Sequence, residues 1–174
     1  SLVNFFKQFQ VKLFKAEKID THGGSIRIFI SKNKNIKIEK SIKELLDEEV
    51  KFGIKQFKTY KNFGKKVYKI RDNVIKNLKK LKIKNKSIVA YGAPAKATTA
   101  LNFFGISKEI DYIVEDNKLK HKKFVPGVKI PIFSKQKISK RKSLVLVLAW
   151  NFYKEIKKNN SKIAKQFVNI KSLE

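Results

Sequence analysis

Ser87-Ile88-Val89-Ala90-Tyr91-Gly92-Ala93-Pro94-Ala95-Lys96-Ala97-Thr98-Thr99 is the stretch on which the fold turns. Its first five residues form an apolar run of strand type and strand length. Gly92 to Lys96 reads as a loop, because Gly and Pro punctuate it. Ala97 to Phe104 carries helix-favouring Ala and Leu and stops at Gly105, the residue type that closes helices in a left-handed conformation. Strand, short loop and helix, in that order, are the first half of a parallel strand–helix–strand unit.

The alternation continues downstream. Ile110-Asp111-Tyr112-Ile113-Val114 is a second strand, closed by Glu115-Asp116-Asn117. Val125-Pro126-Gly127-Val128 is a turn, and Val128 to Phe133 is a short third strand that Pro131 confines to a sheet edge. Leu144-Val145-Leu146-Val147-Leu148 is apolar at every position, as a strand covered on both faces must be. Asn151 to Lys158 reads as a helix and Phe167 to Ile170 as a last strand. The expected class is α/β: a Rossmann-like, mostly parallel sheet with flanking helices.

Upstream the periodicity is different. Leu2, Phe5, Phe6, Phe9 and Leu13 have helical spacing within residues 1 to 14. Phe14 to Ile19 and Ser25 to Ile30 read as strands separated by the turn Thr21-His22-Gly23-Gly24, with Ile26, Ile28 and Ile30 on one face. Two strands without a covering layer are marginal, so this helix–strand–strand unit is too small to fold alone. A polar linker, Ser31 to Asn35, leads into a long helical stretch. There Ser41-Ile42-Lys43-Glu44 fits a capping box, and Ile54, Phe57, Val67, Ile70, Val74, Leu78 and Leu81 share one helical face, with Gly53 and Gly64 as expected breaks. Three regions are expected: 1–34, a helical connector over 35–83, and the α/β domain over 84–174.

The composition narrows the function classes. The chain has 174 residues and a formal charge of +28, from 42 Lys and Arg against 14 Asp and Glu. Such a charge invites a nucleic-acid partner. Yet the only arginines are Arg27, Arg71 and Arg141, and the lysines are spread along the whole chain. Lys, Ile and Asn share A/T-rich codons, and base recognition favours the planar fork of Arg. The lysines therefore read as a solvated coat, and no specific nucleic-acid partner is expected. The lack of Cys removes disulfides and thiolate metal sites, and His22 and His121 alone make no His-rich cluster. No apolar run reaches the roughly 20 residues of a membrane span and no signal peptide opens the chain, so a cytoplasmic protein without a membrane partner is expected. The absence of Met even at position 1 points to a fragment of a longer chain.

In an open parallel sheet, ligands bind beyond the carboxyl ends of the strands. Gly92, Ala93, Pro94, Ala95 and Lys96 occupy one such end and lead into a helix, whose N–H groups and dipole attract an anion. The segment is neither a Walker A loop nor a GxGxxG fingerprint, and a plain strand-to-helix turn is the alternative. Asp116 and Asn117 follow the second strand, Asp116 coming 24 residues after Gly92, where dinucleotide folds keep a ribose-binding carboxylate; an Asp/Asn turn is the alternative. Trp150 and Asn151 follow the strongest strand and suit stacking and hydrogen bonding to a base or sugar, or else a core position for the Trp. His22 and Gly23 stand in the upstream turn, His22 as a proton carrier, a substrate contact or a plain loop residue. His121, inside a run of lysines, reads as solvated surface.

Four segments together resemble one family: Thr21-His22-Gly23-Gly24-Ser25-Ile26-Arg27; Tyr91 to Thr99; Asp111 to Asn117 with Pro126-Gly127; and Val145 to Asn151. Their order and spacing are similar to the C-terminal part of S-adenosylmethionine-dependent C-methyltransferases acting on nucleotide-linked keto sugars. The resemblance implies a zinc-binding N-terminal region and a middle S-adenosylmethionine domain upstream of this chain. Residues 1–34 would then be the tail of that middle domain, and the cofactor would be bound outside this fragment. It further implies that His22 is a catalytic residue. His22, Gly23, Gly92, Ala93, Pro94, Ala95, Lys96, Asp116, Asn117, Trp150 and Asn151 would face a nucleotide-sugar, of the deoxythymidine-diphosphate (dTDP) type. Ala90 stands where relatives usually carry Gly, and Ile170 to Glu174 lacks a proline-containing ending. The competing readings are a stand-alone nucleotide-binding or regulatory module and a basic nucleic-acid binder.

Overall fold

The computed structural model describes residues 2–21, 23–85, 87–138, 143–164 and 166–174. The chain divides into two compact units, Ser1–Gly64 and Lys65–Glu174.

The first unit comprises α1 (Leu2–Lys7), β1 (Lys12–Ile19), β2 (Ser25–Ser31), α2 (Lys40–Phe52) and the first turns of α3 (Phe57–Lys84). The helix α1 is shorter than the apolar spacing predicts, because Gln10 takes φ +55° and turns the chain into β1. β1 and β2 form an antiparallel pair, with Leu13 opposite Ile30, Ile19 opposite Ser25, and a bulge between Leu13 and Lys15. Leu13, Ala16 and Ile42 are its buried core, packed by Val3, Phe6, Ile28 and Leu45. A sheet only two strands wide cannot cover the rest, so Ile26 and Ile30 stay 51% and 47% exposed.

The capping box does not form. Glu39, not Ser41, is the N-cap of α2, and no side chain caps it. Ser41 already lies inside the first turn, and its hydroxyl accepts a hydrogen bond from the Ala16 amide at 3.2 Å. Gly53 ends α2 with φ +75°, whereas α3 runs unbroken through Gly64. One helical Gly costs about 1 kcal/mol relative to Ala, too little to break a long helix that packs along part of its length. On α3, Val74 and Leu78 are fully buried, while Phe57 is 81% exposed and does not share their packing.

The second unit continues with β3 (Ser87–Tyr91), α4 (Ala95–Phe104), β4 (Tyr112–Val114), β5 (Ile132–Phe133), β6 (Ser143–Val147), α5 (Tyr153–Asn159) and β7 (Gln166–Asn169). The strands are ordered β5-β4-β3-β6-β7 and every pairing is parallel. Counting from β3, this is the Rossmann order 3-2-1-4-5. β5 is a two-residue edge strand, with Pro131 just outside it in a bridge to Phe124. Among the described residues no helix is long and apolar enough to cross a membrane.

Alternate residues of the central strands serve opposite faces. Ile88, Ala90, Leu144, Leu146 and Leu148 pack with Val74, Leu78, Ala97 and Leu101 from α3 and α4. Val89, Tyr91, Val145 and Val147 pack with Tyr153, Ile156 and Ala164 on the α5 side. Both faces are covered, which is why β6 is apolar at every position.

Candidate functional site

The strand order reverses between β3 and β6, so the loops leaving these strands form the crevice where such sheets bind ligands. They touch directly. The Leu148 amide donates to Tyr91 O at 2.9 Å, and the Gly92 amide donates to Val114 O at 2.8 Å. Gly92 has φ +90°, and a Cβ added there would stand 2.9 Å from Ala149 Cβ. Glycine is needed at this position for both its conformation and its size.

Pro94 is the N-cap of α4 and supplies no side-chain cap. Its carbonyl accepts from Ala97 and Thr98, while the Ala95 and Lys96 amides have no hydrogen-bond partner among the described residues. Gly92 is buried, Ala93 and Pro94 are half-buried, and Ala95 and Lys96 are exposed. This corner presents two N–H groups and an ammonium group to solvent.

Two neighbouring carboxylates follow β4, and they differ. Glu115 is turned inward, its side chain 15% exposed. It accepts from the Ala93 amide at 2.8 Å, the Asp116 amide at 2.9 Å and the Asn117 amide at 3.2 Å. Lys120 stands 3.6 Å away and donates to Ala93 O at 2.9 Å. Asp116 is turned outward, its side chain 58% exposed. It accepts from the Tyr91 hydroxyl at 2.7 Å and pairs with Lys135 at 3.1 Å. Partial burial works to raise its pKa, but the Tyr91 hydroxyl and the Lys135 ammonium hold it below the usual carboxylate range. Burial first, and then the Asp116 carboxylate, push the Tyr91 phenol well above its ordinary value.

Asn117 takes the turn role foreseen as its alternative. Its side chain accepts from Leu119 N at 3.0 Å and caps the short 3-10 turn Lys118–Lys120. Trp150 opens a 3-10 turn, Trp150–Phe152, so α5 starts later than predicted. Its ring packs against the α4-side core, and Lys171 Nζ lies 6.0 Å from the ring centroid. Asn151 beside it is exposed.

All three loops thus gather at one end of the sheet, but not on one face of it. Trp150 belongs to the α4 side, whereas Asp116 is held by Tyr91, whose ring belongs to the α5 side. His22 lies outside the described residues, and Gly23, with φ +92°, belongs to the first unit. His121 is not plain surface: it is half-buried, and its Nε2 lies 2.7 Å from Glu115 O, which makes that nitrogen the donor. Sequence reasoning also missed Tyr91, Glu115, Lys120 and Lys135 as members of the site. Tyr91 and Glu115 lie inside the segments already singled out; for Lys120 and Lys135 the one signal was the density of charge after β4. Among the described residues no group of three His, Asp or Glu side chains could hold a metal ion, so a zinc ion finds no ligand set there.

A five-stranded parallel sheet with a glycine-turned loop at its switch point defines a Rossmann-like domain. The chain belongs to the C-methyltransferase C-terminal domain family, whose sequence profile matches residues 20–170. It is also 28% identical over 159 residues to C-methyltransferase NovU of Streptomyces niveus. That alignment takes in 90% of this chain and 38% of the relative, so the chain spans well under half of the relative's length.

Proposed function

We propose that this chain is the C-terminal part of a methyltransferase that alkylates a carbon of a nucleotide-linked keto-deoxysugar. Its unit Lys65–Glu174 contributes nucleotide-sugar binding, and the chain alone is inactive. One observation carries this reading. The exposed Ala95 and Lys96 amides and the Lys96 ammonium stand at the switch point of a parallel sheet, where a diphosphate would be received. The outward carboxylate Asp116 suits a sugar or ribose hydroxyl, and Trp150 with Asn151 suits the ring of a base or sugar. Family membership supports the methyl-transfer class.

S-adenosylmethionine supplies the methyl group in this reading and is bound upstream, as is the zinc ion that the resemblance implies. His22 is the candidate base: it takes the proton from the carbon beside the sugar ketone, and the resulting enolate carbon is the nucleophile. The nucleotide part is of the dTDP type. Calorimetric titration of the chain with a dTDP-linked sugar, beside Lys96→Ala, tests the binding role. Saturable binding that weakens about tenfold in Lys96→Ala is expected for the loss of one charged contact. Absent binding, or equal binding in both, overturns it.

A further inference from the structure

Ala93 is gripped on both sides of its Cα, through the peptide group before it and the one after it. Its N–H donates to Glu115 Oε2 at 2.8 Å, and its C=O accepts from Lys120 at 2.9 Å. Glu115 and Lys120 are themselves 3.6 Å apart. The Glu115 carboxylate also takes the Asp116 and Asn117 amides on Oε1, so it accepts three backbone hydrogen bonds, with the Lys120 ammonium beside Oε2. A carboxylate offers about four lone-pair sites, and three of those of Glu115 are taken by the loop's own amides, with Lys120 beside the fourth. Lys120 is neutralised by the same contact. The next residue, Pro94, has no N–H, and Ala93 belongs to neither β3 nor α4, so no ladder or helix bond holds Ala93.

We propose that Glu115 and Lys120 are a positioning pair. They fix the β3–α4 loop in the orientation that a nucleoside diphosphate meets, and neither touches the ligand. This rests on the nucleotide-binding reading above and deepens it: Asp116, not Glu115, is the hydroxyl acceptor. A dinucleotide fold reads its ribose with the acidic residue after the second strand; here two acidic residues stand there, and one of them serves the loop.

The test uses the full 174-residue chain, with amide exchange read at Ala93 and calorimetric titration with dTDP. In the unaltered chain the Ala93 amide is expected to be protected. Glu115→Ala should lower that protection at least about tenfold without changing protection in β3 and β6, and weaken dTDP binding by about tenfold or more. Glu115→Gln keeps an acceptor and should rescue most of the affinity; Lys120→Ala should weaken it and Lys120→Arg restore it. Rescue by the conservative variants is the readout that a general loss of stability would not produce. If Glu115→Ala fails to fold, the Gln and Lys120 variants carry the test. A freely exchanging Ala93 amide in the unaltered chain overturns the pair whatever the binding result. Unchanged dTDP affinity in Glu115→Ala overturns the pair alone. No dTDP binding by the unaltered chain overturns the nucleotide reading itself.

Discussion

Replacing Gly92 by Ala tests the contact that joins the loops after β3 and β6. The new methyl group must be carried at φ +90°, a left-handed backbone that costs an L-residue about 1–2 kcal/mol. It would stand 2.9 Å from Ala149 Cβ and 3.5 Å from Ala149 N. Carbon atoms prefer about 3.5–4.0 Å, so the end of β6 must move. That end is pinned, since Val147 and Leu148 are fully buried and the Leu148 amide is bonded to Tyr91 O. Overpacking of this kind costs about 1–3 kcal/mol. The two terms together come to about 2–5 kcal/mol, and at about 2–4 °C per kcal/mol the thermal midpoint falls by roughly 4–20 °C. Circular dichroism melts of the whole chain read the shift. Gly105→Ala is the control: φ is +65° there, but nothing lies within 4 Å, so only the backbone term applies. Ala149→Gly in the Gly92→Ala background removes one of the two facing methyls and should recover the second term as a coupling energy of about 1–3 kcal/mol. If Gly92→Ala melts with Gly105→Ala, or shows no coupling to Ala149→Gly, the close approach is refuted.

Two further outcomes concern the supports of the fold. Partial burial works to raise the Asp111 pKa, but Lys82 at 2.5 Å and Ser87 at 2.7 Å hold it below the ordinary range. Because the folded value lies below the unfolded value of about 3.9, the stabilisation is fully present above that pH and is lost as the pH falls through the folded value. Asp111→Asn should therefore be less stable than the unaltered chain at neutral pH, with the gap closing in acid; urea unfolding over a pH series reads it, and a gap that widens in acid contradicts the assignment. In the first unit, Ser41→Ala should cost about 0.5–1.5 kcal/mol through the lost Ala16 bond, and Glu44→Ala much less. A denaturant series that ranks them the other way would reinstate the capping box.

The legible parts of the fold are those where burial dictates composition. β6 lies between two covered faces and could only be apolar throughout; the turn at Gly92 and the stop at Gly105 follow from residues that tolerate left-handed backbone. Ser41 was misread because a hydroxyl in a helix's first turn takes whichever donor comes nearest, and Ala16 is 25 residues away in the chain. The carboxylates were half legible for a related reason. A spacing from Gly92 locates the end of β4 to within a residue or two, but successive side chains leave a strand in opposite directions. Glu115 turns in and Asp116 turns out, and no count of residues decides which does which. Lys120 and Lys135 could not be told from the lysines around them until their partners were known.

Trp150 is the chain's single tryptophan, and it sits in the turn that leaves β6, one residue beyond the Ala149 that meets Gly92. The indole emission of the unmodified protein therefore comes from one place, the carboxyl end of the parallel sheet, with the Lys171 charge 6.0 Å away to make it sensitive to local field. An anion that settles near that lysine would change the colour or yield of this light directly. The approach and departure of a ligand can then be timed by rapid mixing, with no dye attached and no contribution from the other unit.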